Sequence, residues 1–205
     1  MRASKLGRLA LLVGLAPAAR ADFPVTGTFQ YQNRELSFAS GFTGSKPSLP
    51  IRHARVQVLD ANTSAVLATG ATDASGSVSL FVPGAGTNDV LVRCFSRSDA
   101  LGAKTQRVTN NAKSDYSVSS SRFVSQSQAL DLDVGTVLAL ELSSGGLLGN
   151  PFNMLDQMVS GVEYVKASGG ANPPRSLHLM WPGGVGSFAS GTVATIAYDY
   201  DYDLV

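Results

Sequence analysis

The sequence predicts a mainly β chain: a small antiparallel β-sandwich followed by an incomplete α+β segment that carries one amphipathic helix. Three observations lead there. Apolar and polar residues alternate with period two from Val25 to about Ser98, broken by turn residues at intervals of about ten. Charged residues make up only 15% of the chain while Gly, Ser, Thr and Ala are abundant, a composition suited to exported β-rich proteins. One later stretch, 151–166, changes to a three-and-four-residue apolar repeat.

At the N-terminus, Arg2, Lys5 and Arg8 precede an apolar run from Leu9 to Leu15 and small residues at Ala19 and Ala21. This is the pattern of a secretory signal peptide, over residues 1–21, with cleavage expected after Ala21. The run is too short to span a bilayer, and no later stretch is a transmembrane candidate. The expected location is secreted or periplasmic. Removing Arg2, Lys5, Arg8 and Arg20 takes four of the 16 basic residues and no acid, leaving 12 against 15, a net charge of −3. No clustered basic segment is visible, so no nucleic-acid partner is expected.

The sandwich is placed at 22–98. In the first strand Val25, Gly27, Phe29 and Tyr31 share a face. The Gly- and Pro-rich loop "SGFTGSKPSLP" follows. Ala54, Val56 and Val58 then oppose Arg55, Gln57 and Leu59, and the next strand is "AVLATGATD". Val78, Leu80 and Val82 are in phase, as are Val90, Val92 and Cys94. Cys94 is the single cysteine, which leaves no internal disulfide and favours burial as a small hydrophobe. In the turn Thr72-Asp73-Ala74-Ser75-Gly76, Asp73 is placed to accept backbone amides ahead of it. Gly76 is placed to adopt a positive φ.

These residues also carry a resemblance. "G-T-F-x-Y", the Pro-rich loop, "A-R-V-Q-V-L-D", "A-T-G-A-T-D-A-S-G-S-V-S-L-F-V-P" and "V-L-V-R-C" resemble the carboxypeptidase regulatory-like family, a transthyretin-like sandwich, over about residues 25–98. The resemblance implies a non-catalytic accessory module that sits beside enzymes or surface repeats.

Residues 99–149 read as a connecting segment. It holds seven serines between Ser114 and Ser127, with two or three strands suggested by "YSVSSSRFV" and "ALDLDVGTVLALEL". Residues 150–205 open on a helix: Asn150 as N-cap, Pro151 in the first helical position, then Phe152, Leu155, Met158, Val159, Val162 and Val165 on one stripe, ended by Gly169-Gly170. Two strands follow, one through Leu177, Leu179 and Trp181 and one in "GTVATIAYDYDYDLV". A helix and two strands are too little for a core, so 150–205 is expected to be the start of a truncated second domain. The helix stripe would then be left open to self-association or a protein partner.

"N-P-F-N-M-L-D-Q", "P-P-x-S-L-H-L-M-W-P-G-G", "G-T-V-A-T-I-A-Y" and the acidic-aromatic end are similar to the segment that leads into the zinc helix of exported bacterial zincin-like metalloprotease domains. That resemblance implies a catalytic half beyond Val205. It places no catalytic residue in this sequence.

A direct search for chemistry is consistent with that. Zinc hydrolysis needs paired histidines on one helix with a glutamate and a third ligand. The only histidines, His53 and His178, fall in separate strands, both expected to face outward. No nucleophile-elbow, Cys-x-x-Cys, dinucleotide or phosphate-loop motif is present, and no cofactor is expected. Asp199, Asp201 and Asp203 have the spacing of the first calcium-loop ligands but lack the turn glycine and the bidentate twelfth-position acid. The competing reading is a solvated strand edge with tyrosines behind it. The sequence therefore points to an exported non-catalytic module for protein interaction, spacing or adhesion. The alternatives are the N-terminal part of a secreted zinc metalloprotease, and a carbohydrate-binding module using exposed aromatics such as Phe42 or Tyr116.

Overall fold

Strands form where β-branched and aromatic residues alternate with polar ones, because one side of the pleat can then be buried whole. The computed structural model describes residues 23–39, 41–83, 88–100, 105–126, 131–141, 148–169 and 176–181. In chain order they form β1 (Phe23–Gln32), β2 (Leu36–Ser37), β3 (Gly41–Phe42), β4 (Ser48–Pro50), β5 (Arg55–Asp60), β6 (Val66–Ala71) and β7 (Ser77–Val82). Next come β8 (Asn88–Phe95), β9 (Arg97–Ser98), β10 (Gln106–Thr109), β11 (Ser117–Ser119), β12 (Phe123–Gln126) and β13 (Leu132–Ala139). The helix α1 (Gly149–Ala167) and β14 (Leu177–Met180) close the series. Among the described residues the chain is mainly β with one helix, as the sequence predicts.

The first sheet is built around β1. One of its edges carries β13 in parallel; β7 and β4 share antiparallel pairing at its two ends. The second sheet runs β6-β5-β8, with β11 and β12 antiparallel to successive parts of β8. A third, small sheet places β10 between β9 and a parallel β14. The loop expected at 40–50 holds β3, which pairs back onto β2 as a small hairpin, and β4.

Val25, Phe29 and Tyr31 from β1 meet Val56 and Val58 from β5, Val78 and Val82 from β7, and Val90, Val92 and Cys94 from β8 in one apolar core. The predicted phases hold in these strands, with one exception. Leu59, expected opposite Val58, is buried like it because the β5–β6 register shifts between them. Gly27 sits where β1 is irregular against β13, and an added Cβ there would lie 2.3 Å from the Val134 side chain.

The Asp73 turn behaves as its composition requires. The Asp73 carboxylate accepts the backbone N–H groups of Ser75 (2.7 Å) and Ser77 (2.9 Å), and Gly76 has φ +78°. The Gly76 carbonyl accepts from Phe29 N–H at 2.8 Å, so the turn is sewn to β1. A Cβ on Gly76 would stand 2.5 Å from the Phe29 carbonyl oxygen. Gly76→Ala is therefore expected to cost about 2–3 kcal/mol, combining a left-handed backbone with that collision. Gly135→Ala, at φ +66° in open space, should cost about 1 kcal/mol. Denaturant unfolding of the two variants checks the contrast.

The helix begins one residue before the position expected for its cap. Leu148 occupies the cap position and makes no side-chain bond, and Asn150 lies inside the first turn. The Gly149 N–H donates instead to the Leu140 carbonyl at 2.9 Å, so the backbone after β13 takes the place of a side-chain cap. Pro151 remains in the first turn, where its missing N–H costs nothing. Phe152, Leu155, Met158, Val159 and Val162 are buried, Val165 is not, and Gly169 ends the element at φ +80°.

That stripe is covered. Phe152, Leu155, Met158 and Val159 belong to the same apolar core as the sandwich strands, and α1 packs on β1 and β10. The expected self-association through an exposed 151–166 stripe loses its premise, because the sandwich itself covers the helix. The boundaries expected near 98 and 150 likewise run through a shared core. Segment 99–149 supplies β10 to β13, and β13 completes the β1 sheet.

Glu141, just after β13, shows how that segment is tied down. Its carboxylate is fully buried and ion-paired with Arg34 and with Lys46 (2.8 Å). Burial pushes its pKa up, but the two cations outweigh burial and hold it below the ordinary glutamate range. A depressed carboxylate contributes stability that is complete above its unfolded pKa of about 4.3 and fades as pH falls through the folded value. Thermal melts at pH 6 and pH 3 should show Glu141→Gln losing less stability on acidification than the parent.

Candidate functional site

Charged and polar side chains concentrate where α1 meets the sandwich. Asp156, Ser160 and Glu163 fall at helical spacings of four and three and so share one face. Facing them are Arg52 and His53 from the segment before β5, and Tyr31 near the end of β1. Arg52 donates through Nε to Asp156 Oδ1 (2.6 Å), through one terminal nitrogen to Glu163 Oε2 (2.7 Å) and through the other to Ser160 Oγ (2.8 Å). Tyr31 OH donates to the second Asp156 oxygen at 3.1 Å. His53 Nε2 lies 3.3 Å from Glu163 Oε1, with the backbone held at φ +53°.

The electrostatics of this cluster are those of a clamp. Burial, reinforced by the Asp156 carboxylate, raises the Tyr31 phenol well above its ordinary pKa, so it stays a donor and does not become a base or nucleophile. Burial works against the charge on Arg52, but its bonds to Asp156 and Glu163 prevail and keep the guanidinium ionised. All three nitrogens of Arg52 are engaged with the helix.

Both histidines differ from expectation. His53 does not face solvent: the left-handed backbone turns it onto Glu163. His178 Nε2 lies 2.6 Å from Thr109 Oγ1, because β14 docks in register beside β10. Cys94 is buried in the core, and burial pushes its thiol well above the ordinary range. Among the described residues no group of three or more His, Cys, Asp or Glu side chains is placed to hold a metal ion. Asp199, Asp201 and Asp203, the calcium candidates, lie outside the described residues, as do the signal segment and the last predicted strand. Tyr116 does not form an exposed platform; it is half-buried and donates to the Trp181 carbonyl at 2.5 Å. The side chain of Phe42 is outside the described set. No helix among the described residues is long and apolar enough to cross a membrane.

A second arrangement was not legible in the sequence. From Leu91 to Ser98 every second residue is buried, which puts Arg93, Phe95 and Arg97 in one outward row. Gln57, Arg93 and Ser119 lie side by side across β5, β8 and β11. Arg55 and Arg97 converge on Asp99, with Nε to Oδ2 at 3.1 and 3.0 Å. Arg107 stands directly opposite Arg97 across β9 and β10 and pairs with Asp115 at 3.0 Å. Burial raises the pKa of Asp99, but Arg97, Thr105 and Arg55 bring it below the ordinary carboxylate range. Four arginines thus share a face with two aspartates, in a chain whose acids nearly balance its bases overall.

Fold and site together define a mainly β protein in which one helix is clamped to the strands by ion pairs. No protein-family model matches the chain, and no curated protein matches it. Among solved structures, a 9R-lipoxygenase from Cyanothece PCC8801 is similar over 66% of this chain at 12% identity, with a TM-score of 0.33. The chain spans 18% of that lipoxygenase's length, and nothing about fold or activity follows from so distant a likeness.

Proposed function

We propose that the chain is an exported, non-catalytic β-sandwich module for protein interaction, spacing or adhesion outside the cytoplasm. The observation that carries this reading is the fate of the side chains best suited to chemistry. Arg52, Asp156, Glu163, Tyr31 and His53 are bonded to one another and hold α1 to the sandwich. A phenol made less acidic and a guanidinium with every nitrogen engaged are docking groups; a reacting site keeps a nucleophile or base poised and within reach of substrate. The N-terminal charge and hydropathy pattern supports export, and the resemblance of 25–98 to carboxypeptidase regulatory-like modules supports an accessory role.

The test is to purify the chain from a secreting host. Its N-terminal residue should be Asp22, and protein and ester substrates should not be turned over. Turnover that disappears in Asp156→Asn or Glu163→Gln while the fold persists would overturn the non-catalytic reading.

A further inference from the structure

We propose that the outward surface formed by the β5–β8–β11 sheet and the adjoining β9–β10 pair, through Arg93, Phe95, Arg97 and the flanking Arg55 and Arg107, binds an acidic polysaccharide. The inference deepens the reading of the chain as a binding module and rests on it.

The charge on this surface is unbalanced. Arg97 and Arg107 are directly opposed across two paired strands, an arrangement that weakens pairing unless anions sit nearby. Asp99 and Asp115 supply one carboxylate to each, and Asp99 is divided between Arg97 and Arg55. The face still carries two positive charges more than it neutralises. Among the described residues Arg93 is bonded through Nε alone, to Ser119 Oγ at 3.1 Å, which leaves the two terminal nitrogens of its fork for a carboxylate or sulfate. Arg55, Arg97 and Arg107 keep 36%, 24% and 28% of their side-chain surface exposed, so they are within reach of a ligand lying on the sheet.

An aromatic ring lies among the charges. Alternate residues on a strand are roughly 6.8 Å apart, so Phe95 follows Arg93 on the outward side at the end of β8, and past the bend at Ser96 Arg97 opens β9 in the third sheet. An aromatic ring there accepts the C–H face of a sugar, and Ser117, Ser119 and Gln57 on the neighbouring strands offer hydroxyl and amide groups to ring hydroxyls. A repeating anionic sugar presents carboxylates or sulfates at its edges and apolar faces between them, which is the complement of this row.

The experiment measures binding of the full chain to polygalacturonate, neutral dextran and a single-stranded oligonucleotide by affinity electrophoresis and titration calorimetry. Polygalacturonate should retard the protein, neutral dextran should not, and affinity should fall about tenfold between 50 and 200 mM salt as condensed counterions cease to be released favourably. Arg93→Gln should weaken binding at least fivefold and Phe95→Leu at least threefold, with thermal midpoints close to the parent. Lys166→Gln, the same charge change at the end of α1, should leave binding unchanged. Absence of retardation, equal losses in Arg93→Gln and Lys166→Gln, or tighter binding to the oligonucleotide would each overturn the proposal. Release of reducing ends from the polymer would instead sink the non-catalytic reading, and failure to bind without turnover would sink only the polysaccharide face.

Discussion

Arg52→Ala is expected to lower the unfolding free energy by about 3 kcal/mol, the range for removing one partner of a buried ion pair. The guanidinium is 19% exposed and Asp156 15%, so water replaces little of what is lost. The variant leaves Asp156 and Glu163 two turns apart on one face of α1 without the guanidinium that spans them, while Tyr31 and His53 still contact one each. At roughly 2–4 °C per kcal/mol for a chain of this size, the thermal midpoint should drop by about 6–12 °C. Glu163→Gln should cost less than about 1 kcal/mol, because that carboxylate is 39% exposed and half-screened. A double-mutant cycle between Arg52 and Asp156 should give a coupling of about 1–3 kcal/mol. Equal effects of the Arg52 and Glu163 substitutions would show that the clamp is an ordinary surface pair.

Phe152→Ala should cost about 3–5 kcal/mol, since the ring is 1% exposed and sits among strand side chains. Its consequence for cooperativity is more telling than its size. Because Phe152 shares a core with β1, β5 and β8, calorimetry should show one transition displaced as a whole. Two transitions, with only the weaker displaced, would restore a separate unit beginning near residue 150. Fluorescence of Trp181, just past β14 and bonded through its carbonyl to Tyr116, should report the same midpoint as far-ultraviolet circular dichroism.

How far the sequence reveals this molecule depends on how far apart the interacting residues lie. Val90, Val92 and Cys94 declare a buried face because burial with period two leaves its mark on adjacent residues. The Asp73 turn is equally plain, since donor, acceptor and left-handed glycine fall within five positions. Long-range pairing leaves no such mark. Nothing in "ALDLDVGTVLALEL" says that it lies parallel to Phe23–Gln32, and so the helix beyond it is easily mistaken for the start of another unit. The clamp is hidden for the same reason: Arg52 and Asp156 are each ordinary polar residues until the fold brings them together. His53 looks outward by alternation, and only its left-handed backbone turns it inward. The arginine row is hidden differently, because Arg55, Arg93, Arg97 and Arg107 are spaced through four strands with no basic run to reveal them.

The parallel pairing of β1 with β13 has a consequence in time. Val25 finds Leu132 only after roughly 100 intervening residues have been made, and such distant closure is the slow kind. A chain emerging from its N-terminus therefore holds its first strand unpaired on that edge until most of the sequence has followed. Under the export proposed above, a late-closing first strand would delay premature compaction before the chain threads through a membrane pore. The fold in any case depends on everything up to Ala139 having been made.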